Sequence, residues 1–152
     1  MNADGSFTFT PAANYNGAFS AVTYTISDGN GGTATANLAI NITAVNDAPV
    51  ASNDTETTPQ GSVKTGDILT VADTDVDGNT LTLTQFSIGG VTYSAGTTAN
   101  IPGVGTLVIN ADGTYTFTPV PAYVGTVPTV EYTISDGNGG TDTGNFVITV
   151  TD

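Results

Sequence analysis

The stretch Val130-Glu131-Tyr132-Thr133-Ile134-Ser135-Asp136-Gly137-Asn138-Gly139-Gly140-Thr141, with Phe146-Val147-Ile148-Thr149-Val150 beyond it, decides the fold. Val130, Tyr132 and Ile134 alternate with Glu131, Thr133 and Ser135, the two-residue period of a half-buried strand. The Asp-Gly-Asn-Gly-Gly run is turn chemistry, and the alternation resumes at Phe146, Ile148 and Val150. This is a β-hairpin. Tyr24 to Thr33 repeats Tyr132 to Thr141 residue for residue. Working outward, residues 2–43 align with 110–151 at a constant offset of 108, without a gap and with 25 identities in 42 positions. The repeat unit is therefore about 108 residues, the size of a β-sandwich module. One complete repeat, 45–152, follows the C-terminal portion of another, 1–44, which carries three strands only.

Alternation elsewhere predicts strands at 49–57, 67–72, 80–88, 91–94, 105–110, 114–119, 129–135 and 141–151. Asp112-Gly113 joins two of them as a tight turn. No segment keeps helical periodicity for three turns. The spacing predicts an all-β fold, a two-sheet immunoglobulin-like sandwich. Its inward face would be Leu81, Leu83, Phe86, Leu107, Ile109, Tyr115, Phe117, Val130, Tyr132, Ile134, Phe146, Ile148 and Val150.

Composition narrows the chemistry. The 152 residues hold 14 acids, one cation (Lys64), no His, no Cys and no Trp, for a formal charge of −13. One cation cannot neutralise a run of phosphates, so the composition argues against nucleic acid and anionic membranes as partners. Without His or Cys there is no imidazole base, no thiolate and no usual zinc or copper site. No stretch approaches the roughly 20 apolar residues of a membrane span, so direct insertion is not expected. Hard, oxygen-binding cations are the partner class that this composition favours.

Seven of the 14 acids lie between Asp47 and Asp77. Asp73-Thr74-Asp75-Val76-Asp77-Gly78-Asn79 is the densest group. Alternate carboxylates ending in a glycine turn let one loop aim several oxygens at one point, as Ca²⁺ requires. It opens like an EF-hand loop, but Thr84 stands where the bidentate Glu belongs. Threading a sandwich puts Asn46-Asp47-Ala48-Pro49, this loop, the Asp112 turn and the Asp136 hairpin at one pole. Asp54 and Glu56 could add ligands from the flank. The candidate Ca²⁺ ligands are thus Asn46, Asp47, Asp54, Glu56, Asp73, Asp75, Asp77, Asn79, Asp112 and Asp136. The same pattern also suits a solvated acidic surface with turn-forming Asp-Gly pairs.

Asn46-Asp47-Ala48-Pro49 at the junction, the Asp73–Gly78 loop and the closing Tyr-Thr-Ile-Ser-Asp-Gly-Asn-Gly-Gly-Thr together resemble the cadherin-like or immunoglobulin-like tandem repeats of giant bacterial surface proteins. Such repeats occur in RTX-type adhesins and in relatives with VCBS-type repeats. The resemblance covers essentially the whole chain. It implies a cadherin-like sandwich, an extracellular place on the bacterial cell surface, and end-to-end packing against neighbouring repeats. It also implies stiffening by Ca²⁺ at the junctions, in the service of adhesion or biofilm formation.

Two rival functions are legible. A carbohydrate-binding sandwich would need outward aromatic platforms, for which Tyr93, Tyr123 and Phe19 are the candidates. Asp142-Thr143-Gly144 spells the aspartic-protease tripeptide, but that chemistry needs two carboxylates sharing a proton. The first copy has Ala34-Thr35-Ala36 there. The chain is not expected to be an enzyme, and Asp142 is expected to be merely solvated. Residues 1–44, lacking the rest of their module, are expected to find order through another chain, by strand exchange with a second copy if at all.

Overall fold

The computed structural model describes all of residues 1–152 and separates them into two units, Met1–Val45 and Asn46–Asp152. The first unit is a hairpin of β1 (Gly17–Ser27) and β2 (Thr33–Ile42). Its register pairs Phe19 with Ile40, Val22 with Leu38, Tyr24 with Ala36 and Ile26 with Ala34, across a bulge between Phe19 and Val22. Directly paired residues share a face, so these eight apolar side chains line one side. Thr23, Thr25, Thr35 and Asn37 line the other. The third strand expected in this unit is absent, since residues 6–10 belong to no strand. The unit contains no strand for that segment to pair with, and an unpaired ladder does not persist.

The second unit holds ten strands: β3 (Asp54–Pro59), β4 (Lys64–Asp67), β5 (Thr82–Ile88), β6 (Val91–Ser94), β7 (Thr98–Ile101), β8 (Gly105–Ile109), β9 (Thr114–Pro119), β10 (Gly125–Thr126), β11 (Val130–Ser135) and β12 (Thr141–Thr151). One sheet runs β10-β12-β11-β5-β6, with β3 parallel to β12, and the other runs β4-β9-β8-β7. The fold is an all-β sandwich, as expected. Between the sheets, Leu83, Phe86, Leu107, Ile109, Phe117, Val130, Tyr132, Ile134, Phe146, Ile148 and Val150 are all at most 1 % exposed. Tyr115 packs its ring 4.7 Å from that of Phe146. Leu81 is only half-buried, and Ile68, Ile88, Ala99, Ile101 and Val127 join the core from outside the expected set.

Two strands are displaced from their expected positions. The strand placed at 49–57 starts only at Asp54. Pro49 has no N–H to donate, and the backbone from 50 to 53 takes other partners. Val50 forms an isolated bridge with Thr74, and Ala51 donates to Asp142 Oδ2 at 2.8 Å. The strand placed at 67–72 lies instead at 64–67. Asp67 Oδ1 accepts the Leu69 N–H and Asp73 Oδ2 accepts the Thr70 N–H, both at 2.8 Å, and these bonds turn the chain out of the ladder.

The aromatics offered as sugar platforms are mostly engaged. Tyr93 stacks on Phe86 at 5.5 Å between ring centroids. The Tyr123 hydroxyl donates to the Thr126 carbonyl at 2.7 Å, and Phe19 rests against Phe9 at 4.9 Å.

Candidate metal centre

Three segments meet where the second unit begins: residues 46–47, the 75–79 loop and the β11–β12 hairpin. Asp75 organises the loop. Its Oδ1 accepts the N–H of Asp77 at 2.9 Å and of Asn79 at 3.1 Å. Gly78, at φ 76°, supplies the left-handed residue that closes this turn. Asp77 Oδ2 reaches the first segment and accepts the Asp47 N–H at 2.8 Å. Asn46 ties the three together. Its Nδ2 donates to Asp136 Oδ2 at 2.6 Å, and its Oδ1 accepts from Asn79 Nδ2 at 3.1 Å.

Asp136 is 4 % exposed, and its Oδ1 accepts the N–H groups of Asn138 and Gly140 at 2.7 and 2.9 Å. The Asn46 amide above all, then these turn amides, hold its carboxyl below the usual carboxylate range. A depressed folded-state pKa gives a contribution that is complete at neutral pH and lost as pH falls through it. The six residues Asn46, Asp47, Asp75, Asp77, Asn79 and Asp136 therefore form one hydrogen-bonded group, with four carboxylates and no cation. The only Lys, Lys64, is paired with Glu56 at 2.8 Å.

The other candidates stand elsewhere. Asp73 is a structural acceptor: Oδ1 takes the Ser52 N–H at 2.7 Å and Oδ2 the Thr70 N–H. Beside it, the Tyr132 hydroxyl lies 2.7 Å from the Ser52 carbonyl, 2.9 Å from Asp54 Oδ2 and 3.4 Å from Asp73 Oδ1. Burial, then the bond to Asp54, raises the Tyr132 pKa, so it stays a neutral donor. Asp112 bonds only to Thr114 within its own turn. Asp142 is not merely solvated. Its hydrogen bond from Ala51 pins the approach to β3 against β12.

The signal for this last contact lay in the repeat. Asp142 and Gly144 replace Ala34 and Ala36 of the first copy, and both changes touch residues 51–52. Gly144 leaves room for the Ser52 carbonyl and the Tyr132 ring.

The junction group fits a hard cation in its donor chemistry. Asp75 Oδ2 is buried without any hydrogen-bond partner. A bare buried carboxylate oxygen is costly unless a positive charge or donor meets it. No three acidic side chains stand close enough to hold an ion by themselves, so the set must include the Asn46 and Asn79 amide oxygens or backbone carbonyls. Such mixed oxygen sets are usual for Ca²⁺.

The bacterial cadherin-like domain family matches residues 46–152. The chain belongs to that family. A cadherin-like domain family matches residues 1–43 of the other unit. No curated protein matches this cadherin-like chain. Among solved structures, it is similar to a nucleoside hydrolase-related hypothetical protein from Saccharophagus degradans, associated with carbohydrate metabolism, at 18 % identity and a TM-score of 0.45. That similarity covers 71 % of this chain and 26 % of the other, so the chain spans about a quarter of that protein. No helix of the structure is long and apolar enough to cross a membrane.

Asp54, outside the junction group, carries a charge that folding disfavours. Burial raises its pKa most; the Tyr132 hydroxyl bond opposes this, and the Asp73 charge adds to it. A raised folded-state pKa in an acid means that its ionised form is disfavoured by folding at neutral pH, and that this penalty disappears as pH falls. Asp54→Asn is therefore expected to leave stability unchanged or raise it by less than about 1 kcal/mol at pH 7. The difference should vanish below about pH 4. Thermal melts at both pH values test this, and a marked loss at pH 7 would show that the Asp54 charge is needed.

Proposed function

We propose that this chain is a non-catalytic, Ca²⁺-binding extender of a bacterial surface adhesin, with neighbouring repeats of the same polypeptide as its partners. Its place is outside the cell, and its service is adhesion and biofilm formation. The observation that carries the reading is the unpartnered, buried Asp75 Oδ2 inside a group of four carboxylates at the start of the module. Asp75 and Asp77 would hold the ion, with the Asn46 and Asn79 amide oxygens and backbone carbonyls completing the oxygen set, while Asp136 holds Asn46 in place. A divalent cation there supplies the positive charge that the group lacks.

The group joins residues 46–47, one loop and one hairpin through two side-chain bonds of Asn46 and the Asp47 N–H. Neutralising its charge removes the repulsion that would otherwise splay these segments and leave the junction pliable. Stiffness at the start of each module is what a spacer requires. Against catalysis stands the commitment of Asp142 to the Ala51 N–H.

Asp75→Ala and Asp77→Ala are each expected to abolish most of the gain in melting temperature on adding Ca²⁺. Asp142→Ala should keep that gain in full, while costing about 1–2 kcal/mol of its own through the bare Ala51 N–H. Calorimetric titration and melting of the three variants decide it. An equal loss of the Ca²⁺ response in all three would mean charge screening rather than coordination.

A further inference from the structure

Glycine follows Asp at Asp4-Gly5, Asp28-Gly29, Asp77-Gly78, Asp112-Gly113 and Asp136-Gly137, and follows Asn at Asn16-Gly17, Asn30-Gly31 and Asn138-Gly139. A glycine nitrogen is the least crowded in a main chain, so it can reach Cγ of the side chain before it. The fold treats the two groups differently. In all five Asp-Gly pairs the glycine N–H donates a hydrogen bond. Gly5, Gly78 and Gly113 donate to the carbonyls of Asn2, Asp75 and Asn110, at 3.1, 3.2 and 3.0 Å. Gly29 and Gly137 donate to the hydroxyls of Ser27 and Ser135, at 3.2 and 3.1 Å. Hydrogen bonds from neighbours also hold the Asp4, Asp28, Asp112 and Asp136 carboxyls below the usual range. An ionised carboxylate is a poor electrophile.

Asn138-Gly139 has neither protection. Both residues are exposed, and the bonds of the turn pass around Gly139. Asp136 Oδ1 accepts the N–H groups of Asn138 and Gly140 at 2.7 and 2.9 Å, and the Asp136 N–H donates to the Gly140 carbonyl at 3.3 Å. The Asn138 side-chain amide and the Gly139 N–H make no hydrogen bond. The other two Asn-Gly pairs are more engaged. Gly17 is fixed in the ladder opposite Ile42, and Asn30 Nδ2 donates to the Asp28 carbonyl at 3.4 Å.

We propose that Asn138 is a site of self-modification by deamidation, and that the isoaspartate formed there loosens the start of the module. The Gly139 nitrogen gives its proton to hydroxide or a buffer base and attacks Asn138 Cγ. The Cγ–Nδ2 bond breaks, and Nδ2 leaves as ammonia. Water then opens the five-membered imide. Breaking the new Cγ–N bond gives Asp at 138, and breaking the original peptide C–N bond gives isoaspartate. The isoaspartate main chain runs through Cβ and Cγ, one atom longer, between two residues that a five-residue turn holds in register. Both bonds between Asp136 and Gly140 span that link. Gly140 lies against Ala48, and Asp136 Oδ2 holds Asn46. A change at the exposed tip therefore reaches residues 46–48.

The full chain, aged in mildly alkaline buffer with and without concentrated urea, tests this by mapping chymotryptic peptides and labelling isoaspartate with its methyltransferase. Asn138 should convert in the folded chain about as fast as in urea. The five Asp-Gly pairs should be at least about fivefold slower folded than in urea, the protection of one hydrogen bond. Asn138→Gln, which would need a larger ring, should remove the new acidic species that maps to this hairpin. In the aged chain the Gly140 amide should exchange its hydrogen faster, whereas Asn138→Asp, which adds the charge without the extra atom, should exchange like the parent. An Asn138 that converts in urea but stays intact when folded overturns the proposal. An isoaspartate chain whose Gly140 amide is as protected as the parent's overturns it equally.

Discussion

Millimolar Ca²⁺, added to a chelated sample, is expected to raise the melting temperature by roughly 10 °C for each ion bound. The figure follows from mass action: an ion at about 100 times its Kd adds roughly 2.7 kcal/mol. Each kcal/mol moves the midpoint of a unit the size of Asn46–Asp152 by roughly 4 °C. Four carboxylates share the junction without a cation, and the whole chain carries −13, so relief of repulsion acts in the same direction. Mg²⁺ should fall well short, because it demands a compact octahedral shell and sheds its water reluctantly. Monovalent salt screens exposed charges but cannot meet the buried Asp75 Oδ2. Differential scanning calorimetry with EDTA, Mg²⁺ and Ca²⁺ arms reads all three. A melting curve indifferent to EDTA and to Ca²⁺ would sink the metal reading.

Gly144→Ala is expected to cost about 3 kcal/mol or more. The new Cβ would meet the Ser52 backbone carbonyl and the Tyr132 ring, both fixed in place. Ser52 is held by Asp73 and by the Tyr132 hydroxyl, and Tyr132 is wholly buried. Neither can give way without releasing β3 from β12. Gly137→Ala provides the contrast. Its φ is +77° with nothing near the added methyl, so only backbone strain of about 1 kcal/mol applies. Urea melts of the two variants should differ by at least a factor of two in lost stability. A Gly144→Ala chain as stable as the parent would mean that the 51–53 approach does not press on β12.

Much of this molecule is local and was therefore legible from residue order. Period-two alternation marks β5, β9, β11 and β12, because a strand shows its two faces directly in sequence. The gapless repeat at 108 residues identifies a module without any knowledge of its contacts. The turn at Asp136 and the carboxylate loop at 75–79 were likewise visible, since Asx and glycine turns are made by neighbours.

Other features arise only when distant segments meet. Residues 50–53 leave the ladder because distant groups claim their backbone: Asp142, some ninety positions away, takes the Ala51 N–H, Asp73 takes that of Ser52, and Val50 bridges to Thr74. Asp73 and Asp75 look equivalent in sequence, two residues apart in one acidic run. The fold commits the first to Ser52, Thr70 and Tyr132 and leaves an oxygen of the second buried and bare. Asn46 reads as an ordinary junction residue until it is seen between Asp136 and Asn79. The sequence by itself determined an all-β repeat with an acidic end, since strand period, turn chemistry and net charge are sums over neighbours. The tertiary structure alone decided which carboxylates became structural acceptors and which kept a free oxygen, because that depends on donors brought together from some thirty to ninety residues apart.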